Sequence, residues 1–172
     1  MKKEYNFQTK CKISLLVLFF FVSLQSNLYR LSEKKMSTKN LTLPNDVQEV
    51  PTLAAFVEEI CEDAGMDMAT TMQMNLAIEE AVVNVMEYAY HAGTKGEVRI
   101  EARIEDSYVE FIISDDGMPF NPTEKGEVDT TLPAEQRSIG GLGIMLVKHY
   151  MDKIKYKYVD KQNVLLLRKN LK

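Results

Sequence analysis

The apolar positions of this chain change period twice, and the changes mark out its elements. Val50, Leu53, Ala54, Val57, Ile60 and Cys61 recur at helical spacing. They predict a helix over 47–64, with Asp46 as its N-cap and Gly65 as its stop. A short strand over Leu41–Leu43, ended by Pro44-Asn45-Asp46, precedes it. A second helical stretch over 69–90 carries Met74, Ile78, Ala81, Val82, Val85 and Ala89, and stops at His91-Ala92-Gly93. The period then drops to two. Val98, Ile100, Ala102 and Ile104 alternate with polar residues, as in a half-buried strand. Glu105-Asp106-Ser107 turns into a second strand over Tyr108–Ser114, completing an antiparallel hairpin. Residues 117–139 are polar, with Pro119, Pro122, Gly126 and Pro133, and a loop of that length predicts a lid or a disordered segment. A third helix over Leu142–Met151 and a closing hairpin of Ile154–Val159 with Val164–Arg168 follow. The expected fold is α+β, a two-layer α/β sandwich with helices on one face of a mixed, mostly antiparallel sheet.

The first 35 residues stand apart. Ile13–Leu24 is an apolar block behind Lys2, Lys3, Lys10 and Lys12, resembling the start of a secretion signal. It is short of the about 20 residues a spanning helix needs. No clear cleavage site follows, and Met36 opens a stretch that reads as a natural domain start. The readings are upstream sequence from a wrong start codon, favoured here, then an N-terminal membrane anchor, then a signal. The working domain is expected at 36–172.

Charge separates the two parts as well. Seven of the 21 Lys/Arg and two of the 25 Asp/Glu lie in residues 1–35, leaving 14 basic against 23 acidic residues beyond them. A body with net charge −9 is a poor binder of nucleic acid, which demands Lys and Arg at phosphates. Cys11 and Cys61 make no disulfide framework, and His91 and His149 have no partners at metal-ligand spacing.

Three polar interruptions carry candidate chemistry. Glu80 and Asn84 lie one turn apart on one face of an otherwise apolar helix, where unsatisfied polar groups are costly. By themselves they are more readily explained as partly exposed helix residues hydrogen-bonded to neighbouring loops. The functional alternative gives Asn84 a Mg²⁺ to ligate through its carbonyl oxygen and makes Glu80 the base for an attacking hydroxyl. Asp115-Asp116-Gly117-Met118-Pro119 ends a strand, where Asp115 is placed to accept from an adenine amino group and Gly117 lets the base lie against the backbone. Gly140-Gly141-Leu142-Gly143 runs into a helix whose N–H groups suit phosphates. No Gly-x₄-Gly-Lys-Ser/Thr loop and no kinase-type Gly-x-Gly-x-x-Gly set is present, which excludes the two commonest ATP folds.

The order Glu80-x₃-Asn84, Asp115-x-Gly117-x-Pro119, lid, Gly141-x-Gly143 resembles the Bergerat ATP-binding fold of the GHKL superfamily. Without room for a further domain or a phospho-accepting hairpin, the chain is most similar to the stand-alone anti-sigma-factor serine/threonine kinases of partner-switching systems. That resemblance implies Glu80 as general base, Asn84 as magnesium ligand, and Asp115, Gly117 and Pro119 at the adenine. It places Gly141, Leu142 and Gly143 in the lid, and Arg137 against a phosphate or a partner protein. It further implies ATP and Mg²⁺ as cofactors, a STAS-domain antagonist as substrate, a sigma factor or comparable regulator as second partner, a homodimer, and a cytoplasmic setting. Two departures stand out: Tyr88 occupies a position where many members carry His, and the lid is acidic through Glu124, Glu127, Asp129 and Glu135. The competing readings are an ATP-gated binding module without catalysis and a detached histidine-kinase catalytic domain.

Overall fold

In the computed structural model, residues 36–124 and 141–171 are described. The lid core, Arg137 and the 1–35 extension therefore lie outside the described residues. Among those described, no helix is long and apolar enough to cross a membrane.

The first strand, β1, is longer than its apolar residues suggest, covering Ser37–Pro44. It pairs along its whole length with β2, Glu97–Ile104. Lys39 sits in the helix-facing phase of this edge strand, where its ammonium lies 2.7 Å from Glu59 and 2.6 Å from Asp63. The expected helix over 47–64 divides in two. Asp46 caps a 3₁₀ turn at Val47–Glu49, accepting from the Gln48 N–H at 2.9 Å. The α-helix α1 begins only at Val50 and runs to Asp63. Pro51 is the reason: it has no N–H to give the Val47 carbonyl, which the Val50 N–H takes instead. Gly65, at φ +69°, ends α1 as expected, with Gly65 N–H bonded to Glu62 O and Met66 N–H to Cys61 O, the Schellman pattern.

Asp67 caps α2, Met68–Tyr88, through the Thr70 N–H at 2.7 Å. The helix ends short of Tyr90. β3, Tyr108–Asp115, forms the expected hairpin with β2. α3 covers Gly141–Tyr150, followed by β4, Lys153–Val159, and β5, Gln162–Asn170. Asp160 and Lys161, both at positive φ, make the two-residue turn between them. The strand order is β1-β2-β3-β5-β4, and all four pairings are antiparallel. Among the described residues the expected, mostly antiparallel sheet therefore contains no parallel pair.

One face of the sheet is apolar and carries the helices. Val98, Ile100, Phe111, Ile113 and Leu167 from the strands close on Leu53, Val57 and Ile60 of α1 and on Met74, Ile78 and Val82 of α2. Val147 and Met151 extend the same core beneath α3. The other face is mixed, with Ile112, Val164 and Leu166 among charged residues: Glu110 is buried there under Arg168, whose guanidinium donates to it at 2.6 and 2.8 Å and stacks on the Tyr108 ring. Pleat alternation therefore decides which end-of-strand side chains enter the helix–sheet seam.

Candidate functional site

Asp115 is the last residue of β3, in the same phase as Val109, Phe111 and Ile113, and is only 3% exposed. Asp116, one residue on, takes the opposite face. There it accepts from Gln162 at 2.8 Å and pairs with Arg99 at 3.0 Å; these bonds, Gln162 first, hold its pKa below the usual value. Two donors meet Asp115 Oδ1: Gly117 N–H at 2.8 Å and the Asn163 side-chain amide at 2.8 Å. Burial pushes the Asp115 pKa up, and the bonds from Asn163 and Gly117 work against that rise.

The turn after Asp115 is clamped onto the end of α2. Met118 N–H donates to Ala89 O at 2.7 Å, and a Cβ on Gly117 would run into the carbonyl group and Cβ of Ala89. Gly117 is therefore needed first for backbone packing, a reason nearer than access for a ligand. Tyr90 adds a second clamp, its hydroxyl donating to Glu97 O at 2.9 Å and accepting from Asp116 N–H at 3.3 Å.

Between α2, α3 and the sheet lies a cavity of about 360 Å³. Asn84, Asp115 and Pro119 line it, with Tyr88 in the position where His was expected. Its walls are otherwise mainly apolar, from Val85, Ile113, Ile144, Val147 and Leu165, with Met118 and Phe120 at its rim. That size and lining suit a small flat ligand with a few polar anchors. Lys148 of α3 also lines the cavity and donates to Thr123 O at 3.3 Å.

The Asn84 amide nitrogen donates to the Glu80 carbonyl one turn earlier, at 2.6 Å. That bond orients the amide and leaves Oδ1 as its acceptor. Among the described residues, no three His, Cys, Asp or Glu side chains gather to hold a metal. The donor set fits Mg²⁺, which accepts a single protein oxygen where phosphates and water complete its shell. Glu80 packs against the first turn of α3: a Cβ on Gly143 would collide with the Glu80 carboxylate. Burial, then the charges of Glu79 and Glu87, raises the Glu80 pKa, as suits a proton acceptor.

Of the residues singled out in the sequence, Asn84, Asp115 and Pro119 thus meet at one cavity. Gly117 stands outside its lining, packed on Ala89, and Glu80 lies against Gly143 one turn from Asn84. Gly141 and Leu142 open α3; Arg137 lies outside the described residues. Sequence reasoning missed Asn163, Tyr156 and Lys148. The signal for Asn163 was weak, because Val164–Leu167 is apolar on both phases and hides which one faces inward.

Residues 43–169 match the family described as histidine kinase-like ATPase domain. The serine-protein kinase RsbW of Listeria monocytogenes is 29% identical over 130 residues, covering 73% of this chain and 83% of that protein. RsbW of Halalkalibacterium halodurans is 27% identical over 124 residues, covering 70% and 75%. RsbW of Bacillus velezensis is 25% identical over 119 residues, covering 67% and 74%. The family match spans both polar helix positions, the Asp-Gly turn, the cavity, the end of β1, all of β2, β3 and β4, and β5 up to Lys169, so the chain belongs to the histidine kinase-like ATPase domain family.

Proposed function

We propose that this chain is an ATP-dependent protein serine/threonine kinase in which Glu80 is the general base, Asn84 the magnesium ligand and Asp115 the adenine acceptor. The observation that carries the reading is the pairing of Glu80 with Asn84. They stand one turn apart beside an apolar cavity, the amide turned by the Glu80 carbonyl and the carboxylate set against the helix that follows the lid. The similarity to serine-protein kinases supports the reaction class.

ATP lies with its base in the cavity, its amino group donating to Asp115 and its ring covered by the apolar walls. Asn84 Oδ1 would hold Mg²⁺, which when bound neutralises charge on the phosphate oxygens. Glu80 takes the proton from a serine or threonine hydroxyl. The hydroxyl oxygen bonds to the γ-phosphorus, the bond to the β–γ bridging oxygen breaks, and ADP leaves. The raised pKa of Glu80 favours this transfer, because a stronger base accepts the proton more readily. By resemblance, the hydroxyl belongs to a STAS-domain antagonist and the second partner is a sigma factor or comparable regulator. The same resemblance extends the reading to a homodimer working in the cytoplasm.

The test is transfer of labelled γ-phosphate from ATP to the STAS-domain protein encoded nearest this gene, with the full chain and with Glu80→Gln. Transfer by the wild type that falls by about 10²–10⁴ in the variant, with ATP affinity kept, is the expected result. ATP binding without transfer to any STAS-domain protein would leave a nucleotide-gated binding module instead.

A further inference from the structure

Asn163 is, with Glu110 and Asp115, one of three buried polar residues among those described. It opens the inward phase of β5, directly opposite Asp115 in the strand register, and is 6% exposed. A buried carboxamide must satisfy both ends. Its Oδ1 accepts from the Tyr156 hydroxyl at 2.7 Å and from Phe120 N–H at 3.2 Å. Its Nδ2 donates to Asp115 Oδ1 at 2.8 Å and to Met118 O at 3.1 Å. Turning the amide over would set two donors against Oδ1's partners and an oxygen against a carboxylate and a carbonyl, so only this orientation satisfies all four partners.

The consequence falls on Asp115. With Asn163 and Gly117 N–H both on Oδ1, that oxygen is used up, and the other oxygen is left as an acceptor for the cavity. An acceptor there suits a ring bearing an amino group. A ring with a carbonyl in that place sets oxygen against oxygen, and a ring with neither leaves a buried carboxylate oxygen unpaired.

We propose that Asn163, braced by Tyr156, is a positioning residue for nucleobase selection: it holds Asp115 as a one-sided acceptor, so that purines with an amino group at the 6-position are taken and those with a carbonyl there refused. This rests on reading the cavity as the nucleotide site with Asp115 at the base. Tyr156 comes from β4 and Asn163 from β5, so the closing hairpin, which holds no base or metal ligand, sets which nucleotide is used.

The experiment is a titration of the full chain with ADP, GDP and purine riboside 5′-diphosphate, the last being the adenine nucleotide without its amino group. Wild type is expected to favour ADP over the purine riboside nucleotide by about 10- to 100-fold, the range for a hydrogen bond to a charged group. In Asn163→Leu, ADP weakens about tenfold while the purine riboside nucleotide barely changes, so the ratio narrows. Tyr156→Phe keeps the ring packing and narrows the same ratio by a smaller factor. With saturating ATP, the rate of phosphate transfer in both variants stays near wild type while KM for ATP rises. An unchanged ratio in Tyr156→Phe, or an equal loss of both nucleotides in Asn163→Leu, overturns the proposal and leaves Asn163 a structural residue. A wild-type ratio near one has a different meaning: it overturns the assignment of Asp115 to the base, and this proposal with it.

Discussion

In the proposed site, Asp115 would trade stability for binding. Its pKa is raised, so the folded chain binds that proton more tightly than the unfolded chain does. Its ionisation therefore costs stability, which falls as pH rises from the ordinary carboxylate range through the raised value. Asp115→Asn removes that slope. It also turns the site's polarity around, because Gly117 N–H and Asn163 still require an oxygen at Oδ1, and the new amide must point its NH₂ into the cavity. The expected outcome is a thermal midpoint at pH 7 equal to or above wild type, with ADP affinity down by about tenfold or more. Calorimetry on one sample set reads both. Glu80 gives a kinetic counterpart. Burial and the neighbouring charges of Glu79 and Glu87 lift its pKa, so with Glu80 as the proposed base the acid limb of the kcat/KM profile is expected above the usual Glu range. Glu79→Gln removes one of those charges, and the limb is expected to move to lower pH; a pH–kcat/KM series, which reads the free enzyme, checks it.

Elements, not residues, explain why two glycines in the site differ. Gly117 backs onto the Ala89 carbonyl at the end of α2, which has nowhere to move. Gly117→Ala is expected to lower unfolding free energy by about 1–3 kcal/mol in urea melts, the usual result of overpacking. Gly143 meets the flexible Glu80 side chain, its carboxylate most closely, and it lies inside α3. Gly143→Ala gains helix propensity and leaves stability unchanged or up to about 1 kcal/mol higher. Yet it pushes Glu80, the proposed base, aside, and a misplacement of that order is expected to cost phosphate transfer about 10²-fold. Paired urea melts and transfer assays separate the two glycines, one structural in its demand and one functional.

At the scale of the whole molecule the charge pattern matters more than any ion pair. Residues 36–172 carry 14 basic against 23 acidic side chains, and exposed pairs such as Lys39 with Glu59 and Asp63 are screened by salt. A phosphate added to a partner contributes about −2 charge, which a negative surface repels. Phosphorylated antagonist is therefore expected to bind more weakly than the unmodified form, with the gap narrowing as salt rises from 50 to 300 mM, roughly a halving of the screening length. Titrations of both forms across that range check the sign; equal affinities at low salt would remove charge as the cause of release.

Much of this molecule was determined by local sequence. Apolar spacing and turn residues located the three α-helices and five strands of the described residues; Gly65 acts as the stop its chemistry predicts, and Asp46 caps the 3₁₀ turn that leads into the first helix. The Glu80/Asn84 pair and the Asp-Gly turn were legible because polar residues stand out against apolar runs. Where one unread residue ruled, the boundaries moved: Pro51 split the first helix, and Asp67 began the second. The extent of β1 was hidden because Ser37–Asn40 has no apolar phase of its own and gains its strand from pairing with β2. Only the tertiary structure decided that Asn163 would face Asp115, because strand register joins residues 48 positions apart that no periodicity links. It also decided that Gly117 and Gly143 would press on Ala89 and Glu80. Short-range pattern sets which elements form. The satisfaction of buried polar groups, which needs partners brought from distant strands, sets what the site can recognise.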